Sequence, residues 1–157
     1  MTTYTIERLT HRNAGIAREW ALCRYYKVER TAHDALPYDK GSDLDAAGKH
    51  ISIKASAFTL MSGNLCEGIE DFDGIWSLYE SRVHSDTFAY ITEDFKVYEM
   101  TLSEFKRFVY AFGRTERESE KNGGAMKIRL RKESGKMLRW LADEAAAWAP
   151  AIPYWQI

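Results

Sequence analysis

Residues 43–56 have the sequence DLDAAGKHISIKAS, and this stretch decides the fold. Ile51 and Ile53 alternate with Ser52 and Lys54, which is the two-residue period of a β-strand. A pair of aspartates and a turn glycine, Gly48, precede the strand. The pattern predicts a hairpin whose second strand packs one face against the core and leaves the other face, with Lys54, available for chemistry.

A helix is expected on the amino-terminal side of this stretch, over residues 13–27. Asn13 can cap its first turn, and the apolar residues Ile16, Trp20 and Cys23 recur at helical spacing. The same spacing puts Gly15 and Glu19 together on one face of the helix.

Alternating helices and strands are expected on the carboxyl-terminal side. Thr101 and Glu104 form a capping box that begins a helix ending at Gly113, and Ser134 can cap a final helix that ends before Pro150. The other predicted elements are a helix over 73–83, a hairpin of strands 87–92 and 95–100, and a strand over 127–131. This order predicts an α/β fold with a small mixed central sheet flanked by helices.

Composition supports one compact unit. A chain of 157 residues that is 45% hydrophobic can bury one sizeable core, so residues 1–157 are interpreted as a single domain. No charged-then-apolar leader and no long apolar run is visible, which predicts a soluble cytoplasmic protein. Cys23 and Cys66 stand apart and are expected to be buried thiols.

Charge is unevenly distributed, although the net charge is only -1. Residues 114–139 contain nine Lys or Arg against four Glu, whereas residues 66–80 contain five acidic residues and no basic one. The basic stretch is either a solvated face or a surface that contacts nucleic-acid phosphates. Its candidate DNA contacts are Lys127, Arg129, Arg131, Lys132 and Lys136.

The stretch around Lys54 resembles the motif of the PD-(D/E)XK (restriction-endonuclease-like) nuclease superfamily. In that motif an acidic residue on one strand of a hairpin is followed, on the next strand, by an acid-x-lysine triplet. Asp43 matches the first acid and Lys54 matches the lysine. Gly15 and Glu19 resemble the G-x-x-x-E pattern that many of these nucleases carry on their first helix. Ser52 departs from the motif, because it occupies the position of the second acid.

The resemblance implies a Mg²⁺-dependent endonuclease that hydrolyses DNA, with Mn²⁺ as a possible substitute. Asp43 would bind the metal together with Glu19 or Asp45, because Mg²⁺ prefers oxygen ligands and retains several waters. Lys54 would orient the attacking water or offset transition-state charge, and Ser52 could add a hydrogen bond.

Two other functions remain open at this point. A nuclease-fold protein that binds DNA without cutting would need only the basic stretch, and a small protein-binding inhibitor or accessory protein would use the acidic region from Glu67 to Glu80. A double-strand cutter of this size is expected to work as a homodimer, since one site handles one strand at a time.

Overall fold

The computed structural model describes residues 1–29, 44–60, 69–117 and 124–148, together with residues 119 and 121. The described part of the chain contains eight strands and four helices. In chain order they are β1 (Thr2–Thr5), α1 (Ala14–Tyr26), β2 (Leu44–Ala46), β3 (Lys49–Ala55), β4 (Phe58–Leu60), α2 (Phe72–Arg82), β5 (Thr87–Ile91), β6 (Lys96–Met100), α3 (Leu102–Phe112), β7 (Arg114–Arg117), β8 (Met126–Leu130) and α4 (Gly135–Trp148).

The central sheet has five strands in the order β1-β6-β5-β3-β2. The strands β3 and β5 pair in parallel, whereas the other neighbours pair antiparallel. The predicted β2–β3 hairpin forms with Leu44 opposite Ile51. A mixed central sheet with helices is therefore confirmed.

A second sheet of three strands has the order β4-β8-β7. The chain leaves β3 and enters this sheet through Ser56, whose φ of 63° is left-handed. Strands β1, β4 and β7 were not predicted, because segments of three or four residues are too short to display a period. The predicted strand over 127–131 forms one residue earlier, as Met126–Leu130.

Each face of the central sheet is covered by a different set of elements. Ile51 and Ile53 point to the face on which α1 packs, together with Leu22 of that helix. Phe88 and Tyr90 point to the other face, where they pack against α2, α3, α4 and the small sheet. The sheet thus lies between helical layers, as its sequence predicts.

The expectation of an open strand face is wrong at Ser52. Ser52 is only 2% exposed and Lys54 is partly buried. Parallel pairing is the physical reason, because the connection from β3 to β5 must cross over one face of the sheet, and here it covers that face with β4 and α2.

The face of α1 that packs on the sheet also differs from the prediction. Trp20 is 46% exposed, whereas Ala17, Arg18, Ala21 and Leu22 are buried. The two alanines let the helix approach the strands closely, and this small-residue face carries little hydrophobic signal in the sequence.

Helix ends follow the predicted capping chemistry. Asn13 caps α1, Ser134 accepts a hydrogen bond from the Met137 amide, and the capping box of Thr101 and Glu104 is complete. The Glu104 carboxylate also binds the amino group of Met1 at 2.8 Å. Although burial raises the pKa of Glu104, this ammonium group and Thr101 outweigh burial and lower it overall.

Within the described ranges, no helix is both long enough and apolar enough to cross a lipid bilayer.

We expect Thr101→Ala to lower the free energy of unfolding by about 1 kcal/mol, because the Glu104 amide loses its capping oxygen. Urea unfolding followed by circular dichroism measures the loss. Thr101→Ser is the matched control, since it keeps the hydroxyl. Equal stability of the alanine and serine variants would contradict the capping role.

Candidate functional site at the carboxyl edge of β3 and β5

The carboxyl ends of the two parallel strands meet at one edge of the central sheet. Lys54 pairs with Tyr90, and Ala55 pairs with Ile91, the last residue of β5. In open α/β sheets, ligands bind outside the carboxyl ends of the strands. This edge, with the residues that converge on it, is therefore the candidate functional site.

Lys54 is the cation that the sheet itself supplies to this edge. Its ammonium group lies 5.6 Å from the centre of the Phe58 ring, and this ring lies 6.3 Å from that of Tyr90. A lysine ammonium over an aromatic ring is attracted by the negative face of the ring. Lys54 is thus held beside the buried aromatic layer and does not extend into open solvent.

Tyr90 places a buried hydroxyl next to this lysine. The side chain is 1% exposed, and its oxygen is shielded from solvent without a hydrogen-bond partner among the described residues. Burial raises the pKa of the Tyr90 phenol, and the negative charge of Glu133 raises it further, while Arg18 lowers it. A buried polar group without a partner is uncommon, and such groups recur at functional sites.

Two carboxylates, Glu93 and Glu133, stand at the same edge. Glu133, in the loop before α4, accepts a hydrogen bond from the backbone amide of Glu93, and Lys132 approaches the Glu93 carboxylate at 3.2 Å. Burial, and to a smaller extent the neighbouring Glu93 charge, raises the pKa of Glu133. A carboxyl group shifted in this direction is a candidate proton donor or acceptor.

Arg18 brings a second cation to the edge from the opposite side of the sheet. The residue is 4% exposed, and its Nη1 donates a long hydrogen bond of 3.4 Å to the Ile91 carbonyl. Arg18 acts electrostatically on both Tyr90 and Glu133. With Lys132, the edge therefore combines three cations, two carboxylates and a buried phenol.

The predicted site residues are only partly brought together. Glu19 follows Arg18 on α1 and has a solvent-shielded Oε2. Asp45 lies opposite His50, whose Nδ1 is 2.8 Å from the Asp45 carboxylate. This pair is four residues, about 13 Å, along the strand from Lys54, so Asp45 is not close to the lysine. Asp43 lies outside the described residues.

The two residues that share the strand with Lys54 have different environments. Ser52 is buried against Phe88, its partner in β5, and cannot face an open active site. His50 is exposed at the other end of β3, and its hydrogen bond to Asp45 raises its pKa. In the structure, the His50 side chain therefore serves to pair with Asp45.

Metal ligands are not evident in the described ranges, where no three His, Cys, Asp or Glu side chains cluster as a metal site. That search does not include Asp43.

The predicted DNA contacts of the basic stretch lie in two places, on β8 and around the loop that leads into α4. Lys127 and Arg129 lie on β8, where Arg129 approaches Glu116 of β7 at 3.7 Å. Arg131, Lys132 and Lys136 are exposed in or next to the loop that leads into α4. This loop also carries Glu133, so part of the basic stretch borders the candidate site.

Sequence reasoning did not identify Arg18, Tyr90, Glu93 or Glu133 as site residues. The sequence did contain a signal for Arg18, because it is a charged residue among the small and apolar residues that α1 buries. The other three converge only through the parallel pairing and the loop before α4, which no local pattern shows.

No protein-family model, curated protein or solved structure matches this chain. The likeness to PD-(D/E)XK nucleases therefore depends on the residues of this chain alone.

We expect Tyr90→Phe to leave stability unchanged or to raise the free energy of unfolding by about 1 kcal/mol, because it removes a buried hydroxyl without a partner. Tyr98→Phe is the matched control, since Tyr98 lies opposite Tyr90 on the neighbouring strand. Urea unfolding provides the comparison. A loss greater than about 1 kcal/mol in Tyr90→Phe alone would show that the hydroxyl stabilises the fold.

Proposed function

We propose that this protein is a metal-dependent nuclease that hydrolyses DNA phosphodiester bonds at the carboxyl edge of β3 and β5. The observation that carries the proposal is the position of Lys54, at the end of a central strand between its hairpin partner and a parallel strand. A lysine at this edge supports the proposal, because the PD-(D/E)XK resemblance assigns the catalytic lysine to such a strand and α/β sheets bind ligands at this edge.

Lys54 would act on the phosphodiester through its charge. Its ammonium group is partly desolvated over Phe58, so its attraction to an anionic phosphate is screened less than that of a lysine in open water. It would position the attacking water or offset the negative charge that develops on phosphorus-bound oxygens. Arg18 adds positive charge at the same edge.

Glu133 would serve the proton transfers that accompany hydrolysis. Its raised pKa favours the protonated form over a wider pH range than an ordinary glutamate has, which suits a group that protonates a leaving oxygen. The hydrogen bond from the Glu93 amide fixes its carboxylate at the edge of the sheet.

The residues that would hold Mg²⁺ or Mn²⁺ are Glu19 and Asp43. A bound divalent ion supplies Lewis-acid polarisation of the phosphodiester and eases deprotonation of a coordinated water. The solvent-shielded oxygen of Glu19 next to Arg18 fits one ligand position of this kind.

A second function, DNA binding without cleavage, is favoured by one observation. Ser52 occupies the position of the second acid and is buried, so the hairpin offers the metal no carboxylate there. The exposed cations Arg129, Arg131 and Lys136 would then contact phosphates.

We expect Lys54→Ala and Asp43→Asn each to reduce cleavage of plasmid, linear or branched DNA at least a hundredfold in Mg²⁺ or Mn²⁺, while EDTA abolishes cleavage by the parent protein. Gel assays of nicking measure this. Lys106→Ala is the control, because Lys106 is an exposed lysine on α3. Cleavage by Lys54→Ala at the parent rate would refute the nuclease assignment.

DNA affinity in EDTA tests the binding function separately. We expect the affinity to fall steeply with salt, and Arg129→Ala to reduce the slope of log K against log salt by about 0.9, the contribution of one phosphate contact. Fluorescence anisotropy with a labelled duplex measures both quantities. Lys96→Ala, an exposed lysine on β6, is the control. An unchanged slope in Arg129→Ala would exclude a phosphate contact by Arg129.

A further inference from the structure

A cleft opens beside the candidate site, on the α1 side of the central sheet. Its volume is about 340 Å³, at the lower end of the range for small-ligand sites. It lies between the segment that follows β1, the first turns of α1 and the turn that joins β5 to β6. Its lining residues are Arg8, Leu9, Thr10, His11, Ala14, Ala17, Arg18, Glu93 and Phe95.

Arg18 is the residue that makes this cleft unusual. It is 96% buried, since only 4% of its surface is exposed, yet its one hydrogen bond within the described part of the chain is the long contact to the Ile91 carbonyl. No ion pair of Arg18 is present among the described residues, although the Glu133 carboxylate interacts with it electrostatically. The guanidinium donors that the Ile91 contact does not use can therefore donate to a ligand in the cleft.

The surrounding groups also favour an anion. The amino-terminal end of α1 lines the cleft through Ala14, and the first turn of this helix contains no acidic residue to offset its positive end. Asn13 caps the Ile16 amide, which leaves the Ala14 and Gly15 amides at the helix start for another acceptor.

Two further side chains complete the lining. Arg8 stacks over Phe95 with its guanidinium carbon 4.9 Å from the ring centre, and it is 3.7 Å from the exposed carboxylate of Asp94. The Nδ1 atom of His11 accepts a hydrogen bond from the Asn13 amide, so a neutral His11 carries its proton on Nε2 and can donate.

One acidic residue, Glu93, also lines the cleft, but Lys132 lies 3.2 Å from its carboxylate and offsets its charge. The cleft therefore offers two guanidinium groups, from Arg18 and from Arg8 with its Asp94 partner, and helix amides and an imidazole are further donors. Planar guanidinium groups together with amides at a helix start recognise the oxygens of a phosphate group.

We propose that the cleft formed by Arg8, His11, Arg18 and the start of α1 binds a phosphate group. The phosphate belongs either to the end of a nucleic-acid strand or to a small phosphate compound. The proposal does not depend on catalysis at Lys54, because binding is measured in EDTA and stands whether or not the protein cuts DNA.

The experiment compares three probes by fluorescence anisotropy and competition: a labelled single-stranded ten-nucleotide DNA with a 5′-phosphate, the same DNA with a 5′-hydroxyl, and inorganic phosphate as competitor. We expect the phosphorylated strand to bind at least tenfold more tightly and inorganic phosphate to compete with it. Equal binding of the two strands, with melting temperature still raised by inorganic phosphate, would identify small phosphate compounds as the source.

Substitutions inside and outside the cleft test whether the phosphate binds there. Arg18→Met keeps the buried volume, and we expect it to lose the phosphate preference at least tenfold while still folding, because replacing a buried charge by an apolar side chain of similar volume is often neutral for stability. Arg8→Ala, at an exposed position, should weaken binding several-fold. Arg82→Met, at the end of α2 on the other side of the sheet, is the matched control and should bind as the parent does.

Three results would overturn the proposal. They are absence of phosphate binding in the parent protein, an undiminished phosphate preference in Arg18→Met, and equal losses in Arg18→Met and Arg82→Met. If Arg18→Met does not fold, Arg18→Lys and Arg8→Ala decide the question. Lysine keeps the charge but not the planar fork, so unchanged binding in both of these variants would also exclude the cleft.

Discussion

The parallel pairing of β3 with β5 is the constraint on which the rest of the fold depends. Parallel neighbours cannot be joined by a tight turn, so the chain must cross one face of the sheet between them. It does so through β4 and α2, and this crossover buries Ser52, brings Phe58 beneath Lys54 and begins the second sheet. The same pairing aligns the carboxyl ends of the two strands and so creates the edge at which charged groups collect.

The polar groups at this edge come from both faces of the sheet and from two loops. Lys54 and Tyr90 come from the face that the aromatic layer covers, whereas Arg18 comes from the helix on the other face. Glu93 and Glu133 close the edge from two loops, and the hydrogen bond between them links the end of β5 to the start of α4. The cleft shares Arg18 and Glu93 with this edge, although Lys54 and Arg18 belong to opposite layers.

Elements whose sequence signals lie within a few neighbouring residues were predicted well. The β2–β3 and β5–β6 hairpins, the capping box at Thr101 and the cap at Ser134 are encoded within a few residues, and the structure contains them. Burial was harder to predict, because whether the Ser52 face is open depends on the distant strand β5. Arg18 shows the same limit: its position on α1 was predictable, but its burial follows from the close approach that Ala17 and Ala21 allow.

The exposed Trp20 lies next to His11, a residue of the cleft. Its indole meets the imidazole of His11 edge-on, with ring centres 5.0 Å apart, and His11 lines the cleft. Trp76, in contrast, is sealed within the aromatic layer. An occupant that shifts His11 changes the surroundings of Trp20, which is one of the five tryptophans of the chain. The protein thus carries its own optical reporter, and its tryptophan emission registers events in the cleft without an attached dye.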